Sequence, residues 1–172
     1  PPRSTLFPYT TLFRSGAEKG ILGHSYDSQN IQNIWVNDRP TGEIGAIVML
    51  AGGFSIPVVM LAGDTAACKE LRQLVPQAEC AEVKSGVSRT AGFMLSHPAS
   101  CSLIREKARR GLERLAECKP YRVVGPVEVK VELTTKGNRG FRRREGVEQL
   151  NDRIWIFRGK DFTDTWLKFS SF

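Results

Sequence analysis

The run Pro57-Val-Val-Met-Leu-Ala62 constrains the fold of this chain more than any other stretch. Six apolar residues in succession leave no side for water, so the segment reads as a strand covered on both faces. Strands of that kind lie in sheets flanked by helices, and a helix follows at once. Gly63-Asp64-Thr65 is a turn in which Asp64 or Thr65 serves as N-cap, and Ala66 to Leu74 reads as a helix stopped by Pro76. Cys80 to Val83 is a short strand. Strand, helix and strand in this order predict a partly parallel sheet.

The flanking segments fit the same plan. Ile31 to Asn37 carries Ile31, Ile34, Trp35 and Val36 and reads as a strand. Asp38 to Gly42 reads as a turn, with proline pre-setting φ and glycine taking the awkward dihedral. Glu43 opens a helix, Ile44 to Ala51, that is apolar nearly all round and therefore buried; Gly52-Gly53 is expected to end it. Ser96-His97-Pro98 caps an amphipathic helix, Ala99 to Glu117, with Leu103, Ile104, Ala108, Leu112 and Leu115 on its buried stripe. Val123 to Leu133 alternates valines and leucine with Glu128, Lys130 and Glu132, the pattern of a half-exposed strand. Ile154 to Phe157 is a last strand, and Asp161 to Phe169 a last helix with Phe162, Trp166 and Phe169 on one side. The expected class is α/β, a layered sandwich with a mixed, partly parallel sheet.

At 172 residues, 41% hydrophobic and 25% charged, the chain fits one ordinary globular domain. No apolar run approaches the roughly 18–20 residues that span a bilayer, so no membrane partner is expected. Cys68, Cys80, Cys101 and Cys118 stand apart without a CxxC pair, which excludes a zinc ribbon and suits reduced thiols in the cytoplasm. Residues 1–15 show neither helical nor strand period and resemble a translated sequencing adapter. They are expected to be a non-native, disordered scar, with the native part spanning 16–172 and truncated at its N-terminus. Setting aside Arg3 and Arg14 lowers the formal charge from +7 to +5, too modest to imply a nucleic-acid partner. Lys136 to Arg144 is basic, but with Phe141 as its one aromatic it reads as a solvated, mobile loop.

Few residues are placed for chemistry. His24 sits between Gly23 and Ser25, where a neutral imidazole serves as base, nucleophile or ligand, or simply hydrogen-bonds within a loop. Glu43 stands at the start of an apolar helix, where the helix dipole alone accounts for a carboxylate and a metal ligand is the sharper alternative. His97, before a proline, reads as structural. Asp64 follows a buried strand, where open α/β sheets bind ligands, yet capping explains it. Lys84 and Arg89 could face an anion, although surface charge suffices for both. There is no GxxxxGK[ST], G-x-S-x-G or HExxH pattern.

Taken in order, Gly23-His-Ser-Tyr26, Trp35-Val-Asn37, Gly42-Glu-Ile-Gly45, Pro57 to Asp64 and Val83-Lys84 through Arg89 resemble the C-terminal half of the DppA-type D-aminopeptidases. Gly146-Val-Glu148 and Asp152-Arg153 fit as well. The resemblance implies a zinc-dependent peptidase, associated with bacterial peptide uptake, that releases N-terminal D-residues from short peptides. It implies that His24 is the catalytic histidine, as nucleophile or base, and that Glu43 is one ligand of a two-zinc site. Paired cations of that kind polarise a carbonyl and generate hydroxide near neutral pH. It further implies a ring-shaped homo-oligomer around an inner chamber. The family's remaining ligands, two carboxylates and two histidines, lie upstream of the segment matching Gly16, so the chain is expected to be an inactive fragment. Arg139 to Arg144 has no counterpart in the resemblance. The rival readings are a non-catalytic oligomerisation or binding module of the same fold and, more remotely, a nucleic-acid-binding protein using the arginine cluster.

Overall fold

The computed structural model describes residues 20–21, 26–27, 29–88, 90–137 and 139–171. In chain order its elements are β1 (Ile31–Val36), β2 (Arg39–Pro40), α1 (Glu43–Gly53), β3 (Met60–Asp64), α2 (Thr65–Leu74), β4 (Glu79–Gly86), β5 (Gly92–Met94), α3 (His97–Glu113), a 3-10 turn (Leu115–Glu117), β6 (Val127–Leu133), β7 (Val147–Gln149), β8 (Ile154–Gly159) and α4 (Phe162–Ser170). Among the described residues the strands form two sheets: β2-β1-β6-β8-β7, antiparallel throughout, and β3-β4-β5, in which only β3 and β4 run parallel. The α/β class with a partly parallel sheet therefore holds, with the parallel pairing confined to the smaller sheet.

Side-chain period explains the larger sheet. Val127, Val129, Val131 and Leu133 of β6 are all buried, while Glu128, Lys130 and Glu132 alternate outward. The outward residues meet opposite charges, with Arg158 2.9 Å from Glu128, Lys130 3.0 Å from Asp38 and Arg153 3.1 Å from Glu132. The inward residues join Ile31, Ile34, Trp155 and the aromatic face of α4 in the first of three apolar clusters. Within it Phe141 stands edge-on to Phe157 at 5.0 Å, and Phe162 stacks on Trp166 at 5.2 Å.

Helix α1 lies between this cluster and a second. Its Ala46 and Met49 belong to the first, and its Ile44 and Val48 pack with Leu61, Leu71 and Leu74 of β3 and α2 in the second. A third cluster, on the other face of β3 and β4, is covered by Leu103, Ile104, Ala108 and Leu115. Charge fastens α3 there too. Glu79, buried at the start of β4, receives Lys107 at 3.0 Å and Arg114 at 2.7 Å, with Arg110 3.6 Å away. The hydrogen bond from Lys107, offset in part by burial, and that from Arg114 hold the Glu79 carboxyl below its ordinary range.

Several local expectations are corrected. The turn after β1 falls at Asn37 and Asp38, whose φ values of 46° and 60° suit the primed turns that join hairpin strands. Pro40 instead lies in the edge strand β2, and Gly42 becomes the N-cap of α1. Helix α1 also absorbs Gly52 and Gly53 and stops at Phe54. The reason is a close approach: a Cβ on Gly52 would sit 1.6 Å from the backbone oxygen of Tyr121. Leu112 is half exposed, because the contact line of α3 passes through Gly111, which lies against the Val59 backbone. Strand β3 begins at Met60 rather than Pro57, β4 extends to Gly86, and β5 and β7 are additional strands of three residues each.

Gly52 gives a direct test of this packing. Replacing glycine by alanine inside a helix ordinarily stabilises it by roughly 0.5–1 kcal/mol. Here Gly52→Ala is expected to destabilise by about 1–3 kcal/mol, since Tyr121 must move. Urea unfolding followed by circular dichroism reads the sign, and a gain in stability refutes the close contact.

Candidate active site

Two carboxylates are buried at helix N-termini. Glu43 is the first residue of α1, 8% exposed, at the end of the helix where unpaired N–H groups favour negative charge. Asp64 ends the parallel strand β3 and caps α2, its Oδ1 accepting from the Ala67 amide at 3.0 Å. It is fully buried. The capping expectation for Asp64 is met, but capping occupies only one of its oxygens.

The second oxygen reaches a different part of the chain. Asp64 Oδ2 accepts from the backbone N–H of Ile21 at 3.1 Å, and Glu43 Oε1 accepts a short hydrogen bond from the N–H of Tyr26. Chain running from residue 21 to 26 reaches at most about 18 Å, so the two carboxylates share one neighbourhood. Tyr26 has a left-handed φ of 27°, and its ring packs 5.1 Å from that of Trp166 and edge-on to Phe169. Asp27 meets Asn30 at 2.9 Å and Arg139 at 2.8 Å. The Asn30 hydrogen bond draws the Asp27 carboxyl below its usual range; burial is the next largest effect and opposes it, and the bond and charge of Arg139 add to the lowering.

His24 and Arg89 lie outside the described residues. Ile21 and Tyr26, which flank His24 in sequence, are the nearest described residues on either side, and each is hydrogen-bonded to one of the two buried carboxylates. Lys84 lies in β4 and pairs in register with Asp64 at the end of β3. His97 is at the exposed start of α3, its Nε2 3.6 Å from Cys101 Sγ. A zinc site ordinarily needs three or four protein donors. Among the described residues no three His, Cys, Asp or Glu side chains are grouped to hold an ion. Glu43 has the chemistry of one donor, but the described residues do not complete a metal centre, and no catalytic step through a metal follows from them.

The basic stretch departs from its expected state. Arg139 is mostly buried against Asp27 and lies 5.6 Å from the Phe141 ring centre, and Phe141 is inside the aromatic cluster. Arg144 donates to the backbone oxygens of Lys168 and Ser171 at 2.8 and 2.9 Å, closing the end of α4. The run therefore divides among local structural contacts, with Arg142 and Arg143 exposed, and does not form one continuous patch. Sequence reading took Asp27 as a turn former and Arg139 as solvated. The signal for their pairing is faint, because the partners are 112 residues apart.

With this geometry in view, comparison with known proteins is decisive for the class. The profile of the Peptidase_M55 family, D-aminopeptidase, matches residues 13–170. The chain belongs to this D-aminopeptidase family. It is similar to the D-aminopeptidase of Bacillus subtilis (strain 168), 37% identical over 101 residues that make up 59% of this chain and 36% of that protein. Among solved structures it is similar to the one described as Zn-dependent D-aminopeptidase DppA from Bacillus subtilis, a self-compartmentalizing protease. The TM-score is 0.83 at 28% identity, covering 93% of this chain and 58% of that chain. The chain thus spans just over half the length of its structural relative.

The Asp27 anchor yields a pH-dependent prediction. A carboxyl lowered on folding contributes stability above its unfolded pKa of about 3.9 and loses it as pH falls through the folded value. In Arg139→Met, carbon-detected NMR titration is expected to show the Asp27 carboxyl titrating at higher pH than in the parent chain. An unchanged midpoint removes Arg139 as a cause.

Proposed function

We propose that the protein acts as a zinc-dependent aminopeptidase releasing N-terminal D-amino acids from short peptides. In this reading Glu43 supplies one carboxylate ligand of a two-zinc centre and His24 is the catalytic nucleophile or base. The observation that carries it is the buried Glu43 carboxylate at the α1 N-terminus, bonded to the backbone two residues past His24, in a chain matched by the D-aminopeptidase family over most of its length. A buried carboxylate is costly unless it is hydrogen-bonded or meets a cation, and a metal ion is one such partner. Membership in a family whose structural relative is described as zinc-dependent supports the metal.

For the 172-residue chain itself we propose no turnover, because its match covers only 36% of the curated relative and 58% of the structural one. Self-association is part of the same reading. Phe93 and Met94 of β5 are each 74% exposed, beside exposed Val87 and Leu95, an apolar edge that favours burial against another surface. The relative described as self-compartmentalizing supports a homo-oligomeric assembly, and the exposed edge gives the non-catalytic assembly reading its place as the alternative.

The test uses a full-length relative carrying these residues in context. His24→Ala and Glu43→Gln, introduced at the matching positions, are each expected to lower release of D-alanine from D-alanyl peptides by at least about a hundredfold. Glu43→Gln is also expected to lower bound zinc, read by elemental analysis. Unchanged activity in His24→Ala gives the function to the assembly reading. Stoichiometric zinc and D-alanine release by the 172-residue chain refutes its proposed inactivity.

A further inference from the structure

Two of the four cysteines meet in the core beside the smaller sheet. Cys68 lies on α2 and is fully buried; Cys80 lies on β4 and is 7% exposed. Helix α2 packs on β4, and Cys80 Sγ is 3.7 Å from the Cys68 backbone oxygen, to which its thiol donates. The two thiols also hydrogen-bond to each other. A single buried thiol is ordinarily a small, inert hydrophobe. Two in contact have a chemistry that neither has alone, closure to a disulfide.

Their surroundings give them different roles. Arg72 is one turn along α2 from Cys68, and Glu82 is two residues along β4 from Cys80, on the same face of the strand. Arg72 and Glu82 bridge at 2.5 Å and are partly exposed, so the thiols lie one layer beneath the surface. The hydrogen bond from Cys68 draws the Cys80 thiol below its ordinary range; burial opposes it, and the Arg72 charge adds to the lowering. That same bond, and then burial, push the Cys68 thiol up. Cys80 is therefore the sulfur that ionises first, and Cys68 the one that keeps its proton. The remaining thiols are placed differently. Cys118 donates to the Gln77 carbonyl oxygen at 3.8 Å in the third cluster, where burial pushes its thiol up. Cys101 is exposed on α3.

We propose that Cys68 and Cys80 form a reversible disulfide that staples α2 to β4 when the protein meets a peroxide. The Cys80 thiolate attacks one peroxide oxygen, the O–O bond breaks, and the departing hydroxide is protonated to water. The Cys68 sulfur then attacks the sulfenic sulfur of Cys80, the S–O bond breaks, and the departing hydroxide takes the Cys68 proton. The thiol pair loses two electrons, and one peroxide is reduced to two waters. The new bond draws the sulfurs to about 2.05 Å and joins positions 12 residues apart. It needs neither zinc nor peptide turnover, so it stands or falls apart from the peptidase reading.

The experiment treats the folded 172-residue chain, carrying Cys101→Ser to remove the exposed thiol, with a small excess of hydrogen peroxide. Unfolding, alkylation and peptide mass spectrometry then locate every thiol. A Cys68–Cys80 cross-linked peptide pair, lighter by two hydrogens, is expected as the main product, with Cys118 alkylated as a free thiol. The oxidised chain is expected to melt at least about 4 °C above the dithiothreitol-reduced one. Arg72→Gln is expected to slow closure at least about threefold and to leave the product the same. In Cys68→Ser, Cys80 is expected to be trapped by dimedone as a sulfenic acid. Alkylation of both Cys68 and Cys80 after peroxide overturns the proposal, as does a cross-link from Cys80 to Cys118. Oxidation of Cys118 at the same rate also overturns it, by giving the reaction to unfolded chain. An unchanged melting temperature overturns the staple, and an unchanged rate in Arg72→Gln overturns Cys80 as the attacking sulfur.

Discussion

The rest of the structure depends on the burial of α1. A helix with no polar stripe cannot lie on a surface, so protein must cover it from several directions at once. The larger sheet and α4 cover it from one side, and β3 with α2 from the other. The two sheets belong to one body because both are packed against this helix. Burial also carries the N-terminus of α1 into the interior, and with it Glu43. A carboxylate that would be ordinary on a surface helix becomes a desolvated group that needs hydrogen-bond donors.

The chain meets that need with backbone. The Tyr26 amide satisfies one oxygen of Glu43, and the Ile21 amide satisfies the second oxygen of Asp64. Each carboxylate thus acts both on its own helix and on a segment from another part of the sequence. The Tyr26 ring on the α4 aromatics and the Asp27–Arg139 pair add two further anchors. Ile21 and Tyr26 are thereby each held to the scaffold.

What could be read from sequence was what local physics controls. Helices α2 and α4 begin at aspartates whose side chains accept from the amide three residues on, at Ala67 and Asp164, a pattern visible in the sequence itself. The β6 alternation mapped directly onto buried and outward faces. Long-range features were opaque. Nothing near Gly52 announces Tyr121, nothing near Leu112 shows that Gly111 takes the contact, and a three-residue strand such as β5 or β7 carries no period. The hairpin turn was misplaced by a residue or two because Pro40 and Gly42 looked like turn formers, whereas Asn37 and Asp38 tolerate the left-handed backbone the turn requires. In the site, the position of Glu43 at a helix start was legible, while the backbone group that holds it was not.

The pairing of β1 with β6 has a consequence for how the protein is made. The Glu128 amide donates to Asn37 Oδ1 across 91 residues, and among the described residues β1 has on its other side only the two-residue β2. During synthesis at about 5–20 residues per second, β1 and α1 leave the ribosome several seconds before the strand that completes their sheet. For that interval a helix apolar on every side beyond Glu43 and an open strand edge are exposed together. The β3–α2–β4 unit, local in sequence, is the first structure available to shelter the helix. The order in which the chain emerges therefore favours the smaller sheet as the template on which the larger one is built.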